Sequence, residues 1–167
     1  PLHICVSETF RVWPQNNYDI RPLTFYNKPY TCQQIHDDEK KSLLQHVLPY
    51  RNENDRARIV MTCTSWTADE RFDMFWNALG LLDKSFSDGD IHFYVIISGE
   101  GEMRKHYETL LHSKPFDHIQ VLIFWIDHTL YSKLLSCVDF GICLHESTSG
   151  LDLPMIIVDM LGCGIPV

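Results

Sequence analysis

Residues 147–167, STSGLDLPMIIVDMLGCGIPV, join Ser147, Thr148, Ser149 and Gly150 to an apolar helix carrying one carboxylate, Asp159. Pro154 suits the first turn of that helix, where its missing N–H costs nothing. The amides of this end, reached through Leu153, carry partial positive charge and accept phosphate. Asp152 can cap the helix or face a ligand. Asp159 lies two turns in, beside Ile156, Ile157 and Met160. A carboxylate there is costly unless something hydrogen-bonds to it, and a vicinal diol such as a ribose would do so.

Other residues of the same kind follow three earlier apolar runs. TSWTADE offers hydroxyls, Ser65 among them, at a helix start, and SGEGE carries Gly99 and Gly101. Those glycines either let amides approach a ligand closely or simply make a tight turn. WIDH holds Trp125, which can stack on a flat base or belong to the core. His145 and Glu146, after the fourth run, are set aside as acid–base groups.

The elements that must position these residues are read from periodicity. RIVMTCT (58–64), IHFYVIIS (91–98), IQVLIF (119–124) and VDFGICL (138–144) are short apolar runs, read as strands buried on both faces. Between them lie helical stripes: Phe72, Phe75, Trp76, Leu79, Leu82; then Met103, Tyr107, Leu110, Leu111; then Leu130, Leu134, Leu135, Val138. Thr67 with Glu70 fits a capping box before the first helix, and Asp127 can cap the third. Strands alternating with helices predict an α/β fold: a Rossmann-like parallel sheet with helices on both faces. Ligands of such a sheet bind outside the carboxyl ends of its strands, which is where the residues above fall.

Residues 1–57 differ. LHICVSE and PLTFY read as strands around an irregular VWPQNNYDIRP; YNKPYT reads as a turn, and a helix with Leu43, Leu44, Val47 and Leu48 follows. The expected division is the tail of an N-terminal domain (1–26), an interdomain linker with an amphipathic helix (27–57) and a C-terminal domain (58–167). GIPV starts like a further buried strand, and the chain reads as cut at both ends.

Composition excludes several functions. A formal charge of −8 over 167 residues, with scattered basic side chains, argues against nucleic acid as a partner. The longest apolar run, VLIFWI, is far short of the roughly 20 residues of a spanning helix. No signal peptide is visible. The six cysteines lack CxxC pairing and read as reduced thiols facing the cytosol; the nine histidines show neither HxH nor HExxH, so no metal site is expected.

Asp159 with MLGCGIPV resembles the second half of the sugar-nucleotide motif of GT-B glycosyltransferases. TSWTADERF, ISGEGEMRKHYE, DFGICLHESTSGLDLPMIIVDMLGCGIPV and YDIRPLTFYNKP are similar, more narrowly, to the mannosyltransferases that add the first mannose to the lipid-linked chitobiose core of N-glycans. The resemblance implies GDP-mannose as donor, a dolichyl-diphosphate chitobiose acceptor and inversion at the anomeric carbon. It also implies work on the cytosolic face of the endoplasmic reticulum membrane, an anchor elsewhere in the protein, and other N-glycan assembly glycosyltransferases as partners. No cofactor or divalent metal is implied. Asp159 takes the place of the acid on the ribose, Ser147–Pro154 that of the loop facing diphosphate and mannose, and Ser65, Gly99, Gly101 and Trp125 are further nucleotide candidates. The broad motif has its first acid where this chain has Leu151, with Asp152 one place later. The Arg/Lys pair of many relatives is missing, and Arg71 either substitutes for it or faces solvent. The catalytic base is expected from the N-terminal acceptor domain, and none is assigned. The alternative is a non-catalytic nucleotide- or partner-binding module of the same descent. An NAD oxidoreductase suits the fold class but lacks GxGxxG after a first strand.

Overall fold

Four apolar runs become one parallel sheet. In the computed structural model, which describes residues 2–29, 32, 34–51, 56–68, 70–146, 150–151 and 153–167, a small pair β1 (Ile4–Cys5) and β2 (Leu23–Thr24) precedes the main sheet. That sheet contains β3 (Arg58–Cys63), β4 (Phe93–Ser98), β5 (Ile119–Ile123) and β6 (Phe140–Gly141), in the order β5-β4-β3-β6. The helices are α1 (Glu8–Tyr18), α2 (Asp37–Val47), α3 (Phe72–Asp83), α4 (Arg104–Ser113), α5 (His128–Leu135) and α6 (Met155–Gly162).

Alternation along each strand sends side chains to two apolar layers. Ile59 and Met61 of β3 and Tyr94 and Ile96 of β4 face a core with Leu44, Val47, Leu134, Leu135 and Met160 of α2, α5 and α6. Val60, Val95 and Ile97 face the opposite core, where Phe72, Phe75 and Leu79 of α3 meet Tyr107 of α4. Helices therefore cover both faces, as the periodicity predicts. α2, which falls in the stretch read as a linker, lays Leu44 and Val47 into the first core, and Leu48 follows them.

Asp127 caps α5 as expected, its carboxylate accepting from the Leu130 amide at 2.8 Å. Three sequence expectations are corrected. VWPQNNYDIRP is helical through Tyr18, because Ser7 caps α1 by accepting from the Phe10 amide at 3.0 Å and the helix accommodates Pro14. Thr67 and Glu70 do not box α3: Arg71 precedes that helix without a side-chain cap, and Glu70 turns inward. The GIPV run is not a strand as expected, but it flanks β6, where the Gly141 amide donates to the Pro166 carbonyl at 2.7 Å.

The turn after β4 lies directly on the turn after β3. A Cβ on Gly99, whose φ is +146°, would stand 1.7 Å from the Thr64 carbonyl oxygen, and one on Gly101 1.8 Å from that of Ser65. Both obstacles are backbone and cannot swing away. Gly101→Ala is expected to cost about 1–3 kcal/mol as an overpacked site. Thermal unfolding should register a Tm lowered by roughly 4–10 °C; an unchanged Tm would show that the two turns separate freely.

Candidate functional site

The chain lays down β3, adds β4 and β5 on one side, and then crosses to place β6 on the other. Strand order thus reverses between β3 and β6, the position where open α/β sheets leave a crevice at their carboxyl ends. Two adjoining hollows occupy it, of about 690 and 510 Å³, and share Cys63, Thr64, Gly99, Trp125, Met155 and Ile156. The first adds Ser65, Glu70, His145, Leu153 and Pro154; the second adds Ser98, Tyr131 and Asp159.

The rim after β3 is built by Glu70. This buried carboxylate accepts from the Thr64 hydroxyl and, at 3.2 Å, from the Ser65 amide. The Thr64 oxygen in turn accepts from the Trp66 amide at 2.8 Å, holding Trp66 at φ +51° with its ring fully buried. The Trp66 indole N–H donates to the Gly99 carbonyl at 3.2 Å, tying the turns after β3 and β4 together. Ser98 Oγ then accepts from the Ile126 amide at 3.2 Å, which fixes the loop carrying Trp125. Trp125 is 62% exposed at the mouth, so it is no core residue.

Asp159 on α6 forms the opposite wall. It is 6% exposed, and its Oδ2 accepts from the Tyr131 hydroxyl at 3.3 Å. Burial pushes the Tyr131 phenol well above its ordinary range, and the neighbouring Cys63 and Asp159 add to the effect. Burial, with Asp159 behind it, pushes the Cys63 thiol up to about 12. The carboxylate is thus bordered by groups that keep their protons. Pro154 stands just before α6, with no side chain capping the helix there.

The structure brings Ser65, Gly99, Trp125, Leu153, Pro154 and Asp159 to one crevice. Gly101 is not in its wall; its role is the close approach to the Ser65 carbonyl. Gly150 is exposed at φ +66°, while Ser147, Thr148, Ser149 and Asp152 lie outside the described residues. Arg71 is half exposed and turned to Asp73 and Glu146, each at 3.6 Å. Glu70, Thr64, Tyr131 and Cys63 escaped the sequence reading. The one signal available was that positions 63 and 64 end a buried strand facing a ligand edge.

Over 203 aligned residues, the chain is 33% identical to the chitobiosyldiphosphodolichol beta-mannosyltransferases of Homo sapiens and Pongo abelii, with 99% of this chain and 43% of theirs covered. The Candida albicans protein of the same name is 32% identical, with 99% and 37% covered. The chain therefore spans less than half the length of these curated relatives. No protein-family model matches it. Among solved structures, that of TarM superposes with a TM-score of 0.52 at 15% identity, covering 83% of this chain and 24% of the other.

The protonated surroundings of Asp159 set a pH dependence. Between the ordinary thiol value of 9.0 and about 12, the folded chain holds a Cys63 proton that the unfolded chain has released. The stability this represents is complete below pH 9 and declines as the pH climbs through that window. Tyr131 contributes with the same sign. Denaturant midpoints should fall across that range and fall less in Cys63→Ala; a flat profile would mean that the thiol ionises as readily folded as unfolded.

Proposed function

We propose, for a chain homologous over 99% of its length to the chitobiosyldiphosphodolichol beta-mannosyltransferases, that this crevice holds the GDP-mannose donor of a mannosyl transfer to dolichyl-diphosphate chitobiose with inversion. The observation that carries the reading is the buried carboxylate of Asp159, set on the helix behind the crevice where the strand order reverses. There it accepts hydrogen bonds from the ribose hydroxyls. Trp125, exposed across the mouth and shared by both hollows, supplies a stacking face for the base. The diphosphate and mannose meet the start of α6 at Leu153 and Pro154, with Ser147–Gly150 and Asp152 completing the loop by sequence. Stabilisation of the leaving diphosphate by amides and dipole requires no metal.

In this reading residues 58–167 are the donor domain of a GT-B glycosyltransferase, 1–26 belong to its acceptor-side domain and 27–57 join the two. The base that deprotonates the acceptor hydroxyl comes from the acceptor side. The protein works at the cytosolic face of the endoplasmic reticulum membrane, held by an anchor elsewhere in its sequence. No helix among the described residues is long and apolar enough to cross a membrane.

Titration with GDP, UDP and ADP tests the donor: GDP should bind tightest, and equal affinity for all three would remove the assignment. Asp159→Asn should weaken GDP binding by about 1.5–3 kcal/mol, the range for a hydrogen bond to a charged group. Tyr131→Phe is the control, since it deletes the Tyr131–Asp159 hydrogen bond and leaves the carboxylate. If Asp159→Asn lowers Tm steeply while GDP affinity stays put, Asp159 is a structural acid and the ribose role is wrong.

A further inference from the structure

The amino ends of β4 and β5, at the far end of the sheet from the crevice, gather donors that sequence spacing keeps apart. Asp88 and His92 come from the connection between α3 and β4, and His118 from the residue before β5. One ligand atom from each lies within 4.8 Å of the others. His92 Nε2 is 2.8 Å and His118 Nδ1 3.7 Å from Asp88 Oδ1. We infer that Asp88, His92 and His118 bind one divalent transition-metal cation of the zinc class, with water completing the shell.

The donor set is right for such an ion. Imidazole nitrogen with carboxylate oxygen suits zinc and its neighbours, and three protein ligands leave a position for water. Tetrahedral bonds of about 2.0–2.1 Å place ligand atoms roughly 3.3 Å apart. The two separations from Asp88 bracket that value and all three ligand atoms lie within 4.8 Å of one another, so an ion is admitted by side-chain adjustment that gives up the His92–Asp88 hydrogen bond.

The ligands are also held in place. The His118 amide donates to the buried Asp83 carboxylate at 2.7 Å, and the His118 carbonyl accepts from the His92 amide at 2.8 Å. Phe86 stacks on the His92 ring at 4.0 Å and 15°. His118 Nδ1 sits 3.0 Å from the Asp90 carbonyl, a contact the metal replaces. A metal here ties the loop before β4 to the start of β5, as a structural staple remote from nucleotide binding.

The test is titration of the chelator-treated full chain with zinc chloride. One equivalent should bind, and at free zinc 100-fold above Kd the Tm should rise by roughly 5–10 °C. Asp88→Asn and His92→Gln should each weaken binding at least tenfold. Asp88 is more than half exposed, so Asp88→Asn retains the fold should His118 or His92 variants lose it. Cobalt(II) substituted for zinc should give a spectrum without a thiolate charge-transfer band. Absence of binding, affinity unchanged in Asp88→Asn, or a thiolate band assigning the ion to cysteines would each overturn the site. GDP affinity does not enter, so this inference and the donor assignment fail independently.

Discussion

The crevice depends on two backbones lying closer than any side chain allows. Thr64 and Ser65 present their carbonyl oxygens where Gly99 and Gly101 would carry Cβ atoms. With those turns in contact, Trp66 can fill the space beneath them, stacked on Phe72 at 4.5 Å and donating to Gly99. The same contact leaves the Thr64 hydroxyl short of solvent, so a buried acceptor becomes necessary; Glu70 provides it and also takes the Ser65 amide. Glycine spacing, a left-handed tryptophan and an inward carboxylate are thus one arrangement seen from three residues.

This explains what the sequence discloses and what it withholds. Periodicity depends on a residue's own neighbours, and it located β3, β4 and β5 and the stripes of α3, α4 and α5 to within a few residues. Asp127 was legible because capping is local. Glu70 was not: Thr67 and Glu70 satisfy a local pattern, but the unsatisfied groups that claim the carboxylate belong to a turn shaped by β4. Pro14 misled in the opposite direction, because Ser7 supplies a cap that starts α1 despite it. Two of the four tryptophans show the limit of composition. Trp66 is buried and Trp125 exposed, and nothing in either sequence context separates them; strand order and loop packing do.

Asp159 was legible as an anomaly, an acid within Ile156, Ile157 and Met160, and the structure supplies its setting. The Tyr131 hydroxyl donates to this carboxylate at 3.3 Å, and the acid is only 6% exposed. Burial raises the proton affinities of Tyr131 and Cys63, and the charge of Asp159 adds to it, so each resists becoming a second anion beside the first.

The two ends of the same strands are treated differently. At the amino ends, carboxylates accept backbone amides: Asp83 takes those of Asp117 and His118, and Asp139 takes that of Ile59 at 2.8 Å while pairing with Arg58. Main-chain bonds from Arg58 to His92 and from His92 to His118 continue the ladder beyond the strands. At the carboxyl ends the ladder likewise runs on through Thr64 to Ser98, Phe124 to Ile97 and Ile142 to Met61, while Glu70 and Ser98 Oγ accept the amides of Ser65 and Ile126 and so shape the loops around a hollow. Opening of the loops at the carboxyl ends therefore need not disturb the register of the sheet, because that register is secured at the far end. The strands that aim Thr64, Gly99 and Trp125 at the hollow are thereby held in line independently of the loops around it.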